Sequence, residues 1–406
     1  MLALLATLPA LAADRVATPY ASVRAILQQL APPELKSADA RVFSAWAKEK
    51  DAAIRARLHQ GDLDSMVNLL LFGTSFTAQP RMNLDNLGAE TRAGLLRARL
   101  DDLLKAVATP GANERLAFLK TLLAGKDPGP FLLENLQRVL KEKIAINASI
   151  VQLDSTASAF STRGVSLDTT ILPNYAIDAA LRELKSRGLL PAVQRAAILG
   201  PGLDFIDKES GFDYYPLQTL QPFAVQDSLR RLGASNPRIT VLDISPRVLS
   251  HVANLKARTN YTIQLPHNTA EQWTPGALDY WRAFGPESAD AIPTPPGLKG
   301  VETRAARFPA LGIDAADVNI VTQQLTLKPA DKFDLIVATN ILVYYSPFEQ
   351  ALALANIAAM LKPGGFLLTN DPLPEVPQIP MRLLDRTAVV YSDQPRTVDT
   401  VYWYRR

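Results

Sequence analysis

The sequence of 406 residues has no cysteine and only three histidines. The absence of cysteine excludes disulfide bonds, thiolate nucleophiles, iron–sulfur clusters and cysteine-ligated zinc. The histidines, His59, His251 and His267, lie far apart in the sequence, and none stands four residues from another. That spacing would place two imidazoles on one face of a helix as metal ligands, so the sequence predicts no metal site.

An excess of charge of one sign is also missing. The 43 lysines and arginines nearly balance the 40 aspartates and glutamates, which leaves a formal charge of +3. Domains that bind nucleic acid usually carry a basic patch or a run of basic residues, and no dense run of this kind is present. We therefore expect no nucleic-acid partner.

Long apolar runs are scarce. No segment reaches the roughly 18 uncharged apolar residues that a transmembrane helix needs, so no transmembrane segment is expected. Residues 1–13 are nevertheless rich in leucine and alanine, and Ala10, Leu11 and Ala12 resemble the cleavage site of a secretory signal without its basic start. Export is therefore one hypothesis for the location of the protein.

Residues 14–150 have the pattern of helices. One apolar stripe at helical spacing is formed by Leu96, Leu100, Leu103, Leu104 and Val107. Asn113 and Gly125 are typical of a helix start and stop, and Gly61 followed by Asp62 indicates a stop and restart between two helices. A chain of this length suggests two domains, and we predict an all-helical N-terminal domain over 14–150, followed by a connector over 151–195.

From residue 196 onward, short apolar runs alternate with helical patterns. This alternation is typical of βαβ units and a mostly parallel sheet. Insertions at about 203–238 and 254–318 interrupt it, and the second contains six prolines between Pro266 and Pro296. Because structureless loops of such length are uncommon, we expect the second insertion to carry helices of its own and to form part of a lid or pocket wall.

The end of the sequence predicts a β-hairpin. Apolar runs over 388–391 and 398–404 flank a turn at 392–395, and two strands joined by a turn form an antiparallel pair. We therefore expect a mostly parallel sheet that ends in an antiparallel hairpin.

Four short segments follow one another in this half of the chain, at 197–202, 239–243, 333–340 and 361–368. Each is a strand-like run beside a glycine, aspartate or asparagine turn. Together they resemble the doubly wound α/β S-adenosylmethionine-dependent methyltransferases, over about 196–406. The third segment, which continues into Tyr344 and Tyr345, is most similar to the CheR-type branch. The resemblance implies a Rossmann-like, doubly wound seven-stranded sheet with the terminal antiparallel hairpin, and S-adenosylmethionine as cofactor.

Gly200, Pro201 and Gly202 follow the first of these strands. Glycine lets the backbone turn sharply and approach a ligand closely, and in the family this turn packs against the methionine part of the cofactor. Asp204 stands where the family has a third glycine. The resemblance makes Asp204 and Asp207 candidates to bind the ammonium group of the cofactor.

Asp243 ends the second strand and is followed by Ile244. An ionised carboxylate there can accept hydrogen bonds from both ribose hydroxyls, and the resemblance places Asp243 and Ile244 beside the cofactor. The alternative is a helix cap, because Asp243 and Ser245 precede a helical pattern. Both roles are compatible with each other.

Asn340 follows the third strand, where ligands bind in open α/β sheets. Its amide can donate and accept hydrogen bonds. Tyr344 and Tyr345 are candidates to line the pocket, and the alternative for both is an ordinary core position. Asn340 and Tyr344 are the candidate catalytic residues. Gln324 follows a strand predicted over 318–322. The resemblance makes it a candidate to contact the adenine amino group.

These residues predict a methyltransferase. Methyl transfer from a sulfonium is a displacement that requires alignment and exclusion of water. No histidine base accompanies the motifs, which favours a carboxylate or other ionised acceptor, on a small molecule or a protein side chain. Supply of the cofactor favours the cytoplasm.

Two other classes of protein stay open. A catalytically inactive, methyltransferase-like interaction protein is favoured by the altered glycine motif and the signal-like start. A nicotinamide-dependent oxidoreductase would share the glycine turn and the ribose acid, but the terminal hairpin and the Asn340 segment argue against it.

Overall fold

The structure is a computed structural model that describes residues 13–82, 89–151, 164–205, 211–255, 257–309, 312–393 and 396–406. In chain order, its strands are β1 (Asp14–Ala17), β2 (Arg195–Leu199), β3 (Arg238–Asp243), β4 (Asn260–Asn268), β5 (Glu287–Ser288), β6 (Val301–Pro309), β7 (Ile313–Asp317), β8 (Gln323–Thr326), β9 (Phe333–Ala338), β10 (Leu361–Thr369), β11 (Arg382–Asp393) and β12 (Arg396–Arg405).

Helices alternate with these strands. They are α1 (Tyr20–Leu30), α2 (Ala40–Phe72), α3 (Ala89–Ala108), α4 (Glu114–Leu123), α5 (Pro128–Val151), α6 (Leu172–Ser186), α7 (Gln221–Arg231), α8 (Pro246–Leu255), α9 (Pro275–Ala283) and α10 (Pro347–Met360). Among the described residues, no helix is both long enough and apolar enough to cross a bilayer. The signal-like residues 1–12 lie outside the described ranges.

Seven strands form the central sheet, in the order β11-β12-β10-β9-β2-β3-β7. The five strands from β10 to β7 run parallel, whereas β12 runs antiparallel to both β10 and β11. The predicted α/β class with a mostly parallel sheet is confirmed. The hairpin is also present, and its strands are longer than the sequence pattern indicated.

The sheet has helices on both faces because its central strands are apolar along their whole length. Every residue of β2 and β9 is buried, as is typical of parallel strands covered on both sides. Ala196 and Ile198 face a core that includes residues of α6, α7 and α8, whereas Ala197 and Leu199 face a second core with α1 and α10. This alternation makes the fold doubly wound.

The strand order creates a switch point between β2 and β9. The chain runs outward from β2 to β3 and β7, then returns to β9 on the other side of β2. Ligands of open α/β sheets bind in the crevice at the carboxyl ends of the strands where the order reverses. The residues that follow β2 and β9 therefore meet at one edge of the sheet.

The prediction of an all-helical segment over 14–150 is wrong at its beginning. Residues 14–17 form β1, which pairs antiparallel with β8, so that Arg15 lies opposite Leu325. Three of the four residues of β1 are exposed, and its partner lies about 300 residues away along the chain. No local apolar pattern could therefore reveal it.

The predicted stop at Gly61 is also wrong, because α2 continues through it. A Cβ atom at Gly61 would lie 1.8 Å from the carbonyl oxygen of Val165. This glycine therefore serves close packing rather than helix termination, and an interior glycine costs a helix only about 1 kcal/mol relative to alanine.

The helices before residue 150 contribute to several separate cores. Val23 of α1 and Phe43 and Ile54 of α2 pack in the core on one face of the sheet. The second half of α2 packs instead with α3, α4 and α5, in a separate cluster that includes Leu70, Leu103 and Leu119. The domain boundary near 150 stays a prediction.

The second insertion agrees with its prediction only in part. In its described residues it carries a helix, α9, as expected, but also a three-stranded antiparallel sheet in the order β4-β6-β5 that the pattern did not indicate. The predicted strand over 318–322 is wrong, because the sheet strand is β7 and the residues after it form a turn in which Val321 N donates to Asn319 Oδ1 at 3.2 Å. β7 carries one large apolar residue, Ile313, so the following apolar run gave a stronger pattern.

Candidate functional site

A cleft of about 520 Å³ opens at the carboxyl ends of β2, β9 and β10. Its volume lies in the range of pockets that bind small molecules. Five of the predicted site residues line it, namely Gly200, Pro201, Gly202, Asn340 and Tyr344. Sequence and structure thus agree on the position of the cleft at the switch point.

The glycine turn adopts a conformation that favours glycine. Gly200 and Gly202 have φ values of 57° and 73°, in the left-handed region where other residues are strained. A Cβ atom at Gly200 would lie 2.3 Å from Ile341 Cδ1, and one at Gly202 would lie 2.4 Å from the carbonyl oxygen of Leu167. Other segments of the protein, rather than a ligand, therefore pack against these two glycines at the positions where a Cβ atom would stand.

Asn340 begins the turn after β9 with a φ of 57°, which is unusual for a residue other than glycine. Its backbone N–H donates to Asn370 Oδ1 at 2.9 Å, and Asn370 Nδ2 donates to Asn340 Oδ1 at 2.6 Å. This reciprocal pair joins the ends of the neighbouring strands β9 and β10. Asn370 was missed by the sequence interpretation, although it follows its strand in the same way as Asn340.

The two adjacent tyrosines have different environments. Tyr344 lines the cleft, and its backbone carbonyl accepts a hydrogen bond from Arg57 Nη1 at 3.0 Å. Tyr345 is 4% exposed and belongs to the core on the face of the sheet that α1 and α10 cover. Its burial raises the pKa of its hydroxyl. The alternative core role thus applies to Tyr345.

Asp243 is buried at the end of β3, with 6% of its surface exposed. Its carboxylate accepts a hydrogen bond from Ser245 N at 2.7 Å, and Ser245 directly precedes α8. Burial raises the pKa of Asp243 to about 7. The structure therefore gives Asp243 a role in ordering the helix start, while its ribose-binding role stays a prediction.

A second, much smaller cavity of about 40 Å³ lies between the glycine turn and Asp243. Its walls are mostly apolar and include Leu199, Leu242, Ile244, Val318, Ile320 and Ile341. A volume of this size corresponds to one or two water molecules. A nucleoside does not fit into it as it stands.

Residues 164–167, which we call the strap, narrow this cavity. Val165 N donates to the Arg57 carbonyl at 3.1 Å, and Leu203 N donates to the Leu167 carbonyl at 2.8 Å. On its other side, the strap packs closely against α2, because the Val165 carbonyl lies where a Cβ atom at residue 61 would be. The strap is thus held between α2 and the glycine turn, where it forms part of the wall of the small cavity beside Asp243.

The residues around the small cavity fit the chemistry of a nucleoside better than its volume does. A carboxylate such as that of Asp243 suits the hydroxyls of a ribose, and apolar side chains suit an aromatic base. Val165, Ser166 and Leu167 of the strap form part of the wall of this small cavity. A nucleoside would therefore enter the cavity only after the strap has moved.

Asp243 and Ile244 line the smaller cavity and not the 520 Å³ cleft, whereas two other predicted site residues line neither of them. Asp204 is 2% exposed and forms an ion pair with Arg115 at 2.8 Å, and burial raises its pKa to about 7. Because it faces α4 rather than the cleft, the prediction that it binds the cofactor ammonium is wrong. Gln324 lies on β8 opposite Val16, away from both cavities. Its predicted role was wrong because the strand before it had been placed at 318–322. Asp207 lies outside the described residues.

The sequence interpretation missed one acid at the carboxyl edge of the sheet, Asp317. Asp317 ends β7, as Asp243 ends β3, and it accepts hydrogen bonds from Arg15 at 2.6 Å and Arg55 at 2.8 Å. The signal in the sequence for Asp317 was an acidic residue at the end of a weakly apolar run. Gln221 was also missed; its Nε2 donates to Thr339 Oγ1 at 2.7 Å at the cleft wall.

No protein-family model and no curated protein matches this chain. Solved structures that resemble it include the N-methyltransferase NodS from Bradyrhizobium japonicum WM9, with 15% identity, a TM-score of 0.29, and coverage of 57% of this chain and 94% of that one. Magnesium protoporphyrin IX methyltransferase (ChlM) from Synechocystis PCC 6803, with bound SAM, shares 11% identity over 58% of this chain and 79% of its own, with a TM-score of 0.28.

A third neighbour is the glycopeptide N-methyltransferase MtfA complexed with S-adenosyl-L-homocysteine. It shares 11% identity over 55% of this chain and 62% of its own, with a TM-score of 0.22. Likenesses this weak support no conclusion about what this chain binds or does.

Proposed function

We propose that the protein is an S-adenosylmethionine-dependent methyltransferase. The observation that carries the proposal is the sheet order, which brings the glycine turn, Asp243 and Asn340 to the carboxyl edge of three adjacent parallel strands. Three residue types that suit one cofactor thus meet at the switch point, where open α/β sheets bind ligands.

In this proposal, Gly200, Pro201, Gly202 and Asn340 border the amino-acid part of the cofactor. Asp243 accepts hydrogen bonds from the ribose hydroxyls, and the apolar walls beside Ile244 receive the adenine. The cofactor supplies a methyl group on a positively charged sulfur. The chain contributes alignment of the acceptor with that group and exclusion of water, which together can account for a large part of such a rate enhancement.

The finer assignment to the CheR-type branch rests on residues 333–345 alone. The acceptor is a small molecule or a protein side chain, and the sequence favours an ionised group. We also propose that the protein has no nucleic-acid partner and that it is located in the cytoplasm.

A second candidate function is a methyltransferase-like protein that has lost the reaction. It is favoured by one observation, the strap, whose residues Val165 and Leu167 line the cavity beside Asp243, which is too small for a nucleoside. The pairing of Asp204 with Arg115 agrees with it, because that acid is then unavailable to a ligand.

Calorimetric titration with S-adenosylmethionine and with S-adenosylhomocysteine distinguishes the two functions. We expect each ligand to bind one site per chain and to compete with the other. We also expect the thermal midpoint to rise with ligand concentration, because binding to the folded state alone stabilises it. If neither ligand gives heat or a thermal shift, the proposed methyltransferase function is wrong and the inactive alternative is favoured.

A further inference from the structure

The charged groups on the wall of the 520 Å³ cleft are all acidic. They are Asp168, Glu271 and Asp371, which come from three distant parts of the sequence. No lysine, arginine or histidine lines the cleft within the described residues. The described chain also contains no cluster of acids and histidines that could hold a metal ion, so a metal site does not account for these carboxylates.

Two of the three acids are fixed by hydrogen bonds from side chains, and the third, Asp371, has a hydrogen bond from the backbone of Val343. Asp168 accepts from Ser65 Oγ at 2.7 Å and from Asn68 Nδ2 at 3.1 Å. Glu271 accepts from Trp273 Nε1 at 3.0 Å and from Asn268 Nδ2 at 3.3 Å. Both carboxylates are therefore held at the cleft wall, where walls of low dielectric concentrate the field of fixed charges.

Asp371 lies just beyond β10 and directly after Asn370, whose side chain is paired with Asn340. Its Oδ2 is buried without a hydrogen-bond partner, and no described cation forms an ion pair with it. Burial and the nearby charge of Asp399 raise the pKa of Asp371 to about 6, against the opposing effect of the hydrogen bond from Val343, so this carboxylate is a stronger base than an ordinary aspartate.

We propose that the methyl acceptor is an amine that enters the cleft as an ammonium ion and is held and deprotonated by Asp371. This inference rests on the proposed function, because it names the substrate class of the same cleft. A carboxylate acceptor, which the sequence favoured, would meet three like charges there, whereas an ammonium ion is attracted by all three.

The reaction balances with groups that are already named. The ammonium ion first transfers one proton to the Asp371 carboxylate. The neutral nitrogen then forms a bond to the methyl carbon with its lone pair, while the carbon–sulfur bond breaks and its electron pair stays on sulfur. The methylated nitrogen carries the positive charge that the sulfur has lost, and the proton on Asp371 leaves to solvent.

The test uses benzylammonium and benzoate, two probes with one aromatic ring and opposite charge. Each is titrated into the full chain, with and without S-adenosylhomocysteine. We expect wild type to bind benzylammonium more tightly than benzoate. Asp371→Asn, which removes the charge and keeps the shape, should weaken benzylammonium binding by about fivefold, as suits a partly exposed ion pair, and leave the affinity for S-adenosylhomocysteine unchanged. Asp279→Asn, on an exposed face of α9, is the matched control and should behave as wild type.

Each outcome decides between the proposals. If S-adenosylhomocysteine binds but benzoate binds as tightly as benzylammonium, or benzylammonium does not bind at millimolar concentration, the amine inference is wrong and the proposed function stands. If Asp371→Asn binds benzylammonium as wild type does, Asp371 is not the residue that holds the amine. If S-adenosylhomocysteine does not bind at all, the proposed function fails and the acceptor inference fails with it.

Discussion

Gly61→Ala should loosen the strap and increase the affinity for S-adenosylhomocysteine. The new Cβ atom would lie 1.8 Å from the Val165 carbonyl oxygen and 2.5 Å from its carbon, and neither backbone atom can move without moving the strap. Overpacking of this kind costs about 1–3 kcal/mol. If this cost destabilises the closed form, in which the strap narrows the small cavity, a larger fraction of the protein is competent to bind the ligand. Each 1.4 kcal/mol of such destabilisation then raises the apparent affinity about tenfold.

Gly94→Ala is the matched control for this substitution. Gly94 also lies inside a long helix, α3, but a Cβ atom there would meet nothing within 4 Å. It should stabilise the protein by up to about 1 kcal/mol through helix propensity alone and leave ligand affinity unchanged. Thermal unfolding and calorimetry of both variants provide the measurement. A Gly61→Ala protein that is as stable as Gly94→Ala would show that the contact with Val165 does not hold the strap.

Amide hydrogen exchange gives an independent view of the strap. In the closed form, Leu203 N–H is bonded to the Leu167 carbonyl and Val165 N–H to the Arg57 carbonyl. If ligand entry displaces the strap, both amides should exchange faster in the complex than in the free protein, although binding usually slows exchange elsewhere. Slower exchange of both amides in the complex would mean that the ligand binds without opening the strap.

Strands that carry their own apolar run could be predicted from the sequence. Residues 333–338 are buried on both faces of the sheet, and this is visible as an uninterrupted apolar run after the first aspartate. β7 could not be found in the same way, because it has the sequence Ile-Asp-Ala-Ala-Asp and is an edge strand. β1 depends wholly on a partner in β8, far along the chain.

The site was predictable where a residue type and a strand end coincide. The glycine turn and Asn340 follow strands, Asp243 ends one, and the sheet topology places these strand ends at one edge. Asp204 was misassigned because its partner, Arg115, lies 89 positions earlier on a separate helix. The strap could not be foreseen, because its position depends on three glycines, Gly61, Gly164 and Gly202, that allow segments distant in sequence to approach one another.

Asp243→Ala should reduce the affinity for S-adenosylmethionine at least about tenfold. A charge-assisted hydrogen bond contributes roughly 1.5–3 kcal/mol, and the substitution removes an acceptor for two ribose hydroxyls. A role limited to ordering the start of α8 would instead cost about 1 kcal/mol of stability and leave affinity nearly unchanged. Calorimetry and thermal unfolding of the same protein separate the two roles.

Asp243→Asn and the pH dependence of binding complete this test. Asparagine keeps an oxygen that can accept from Ser245 N, so stability should be nearly retained, but it is a poorer acceptor for a diol. Because burial raises the pKa of Asp243 to about 7, its carboxylate is mostly protonated at pH 6 and mostly ionised at pH 8. The ionised form accepts both hydroxyls, so wild-type affinity should rise as the pH increases through 7, and the asparagine variant should lack this rise. Affinity that survives both substitutions and is independent of pH would remove Asp243 from the ribose site, and would leave the inactive, methyltransferase-like protein as the better description.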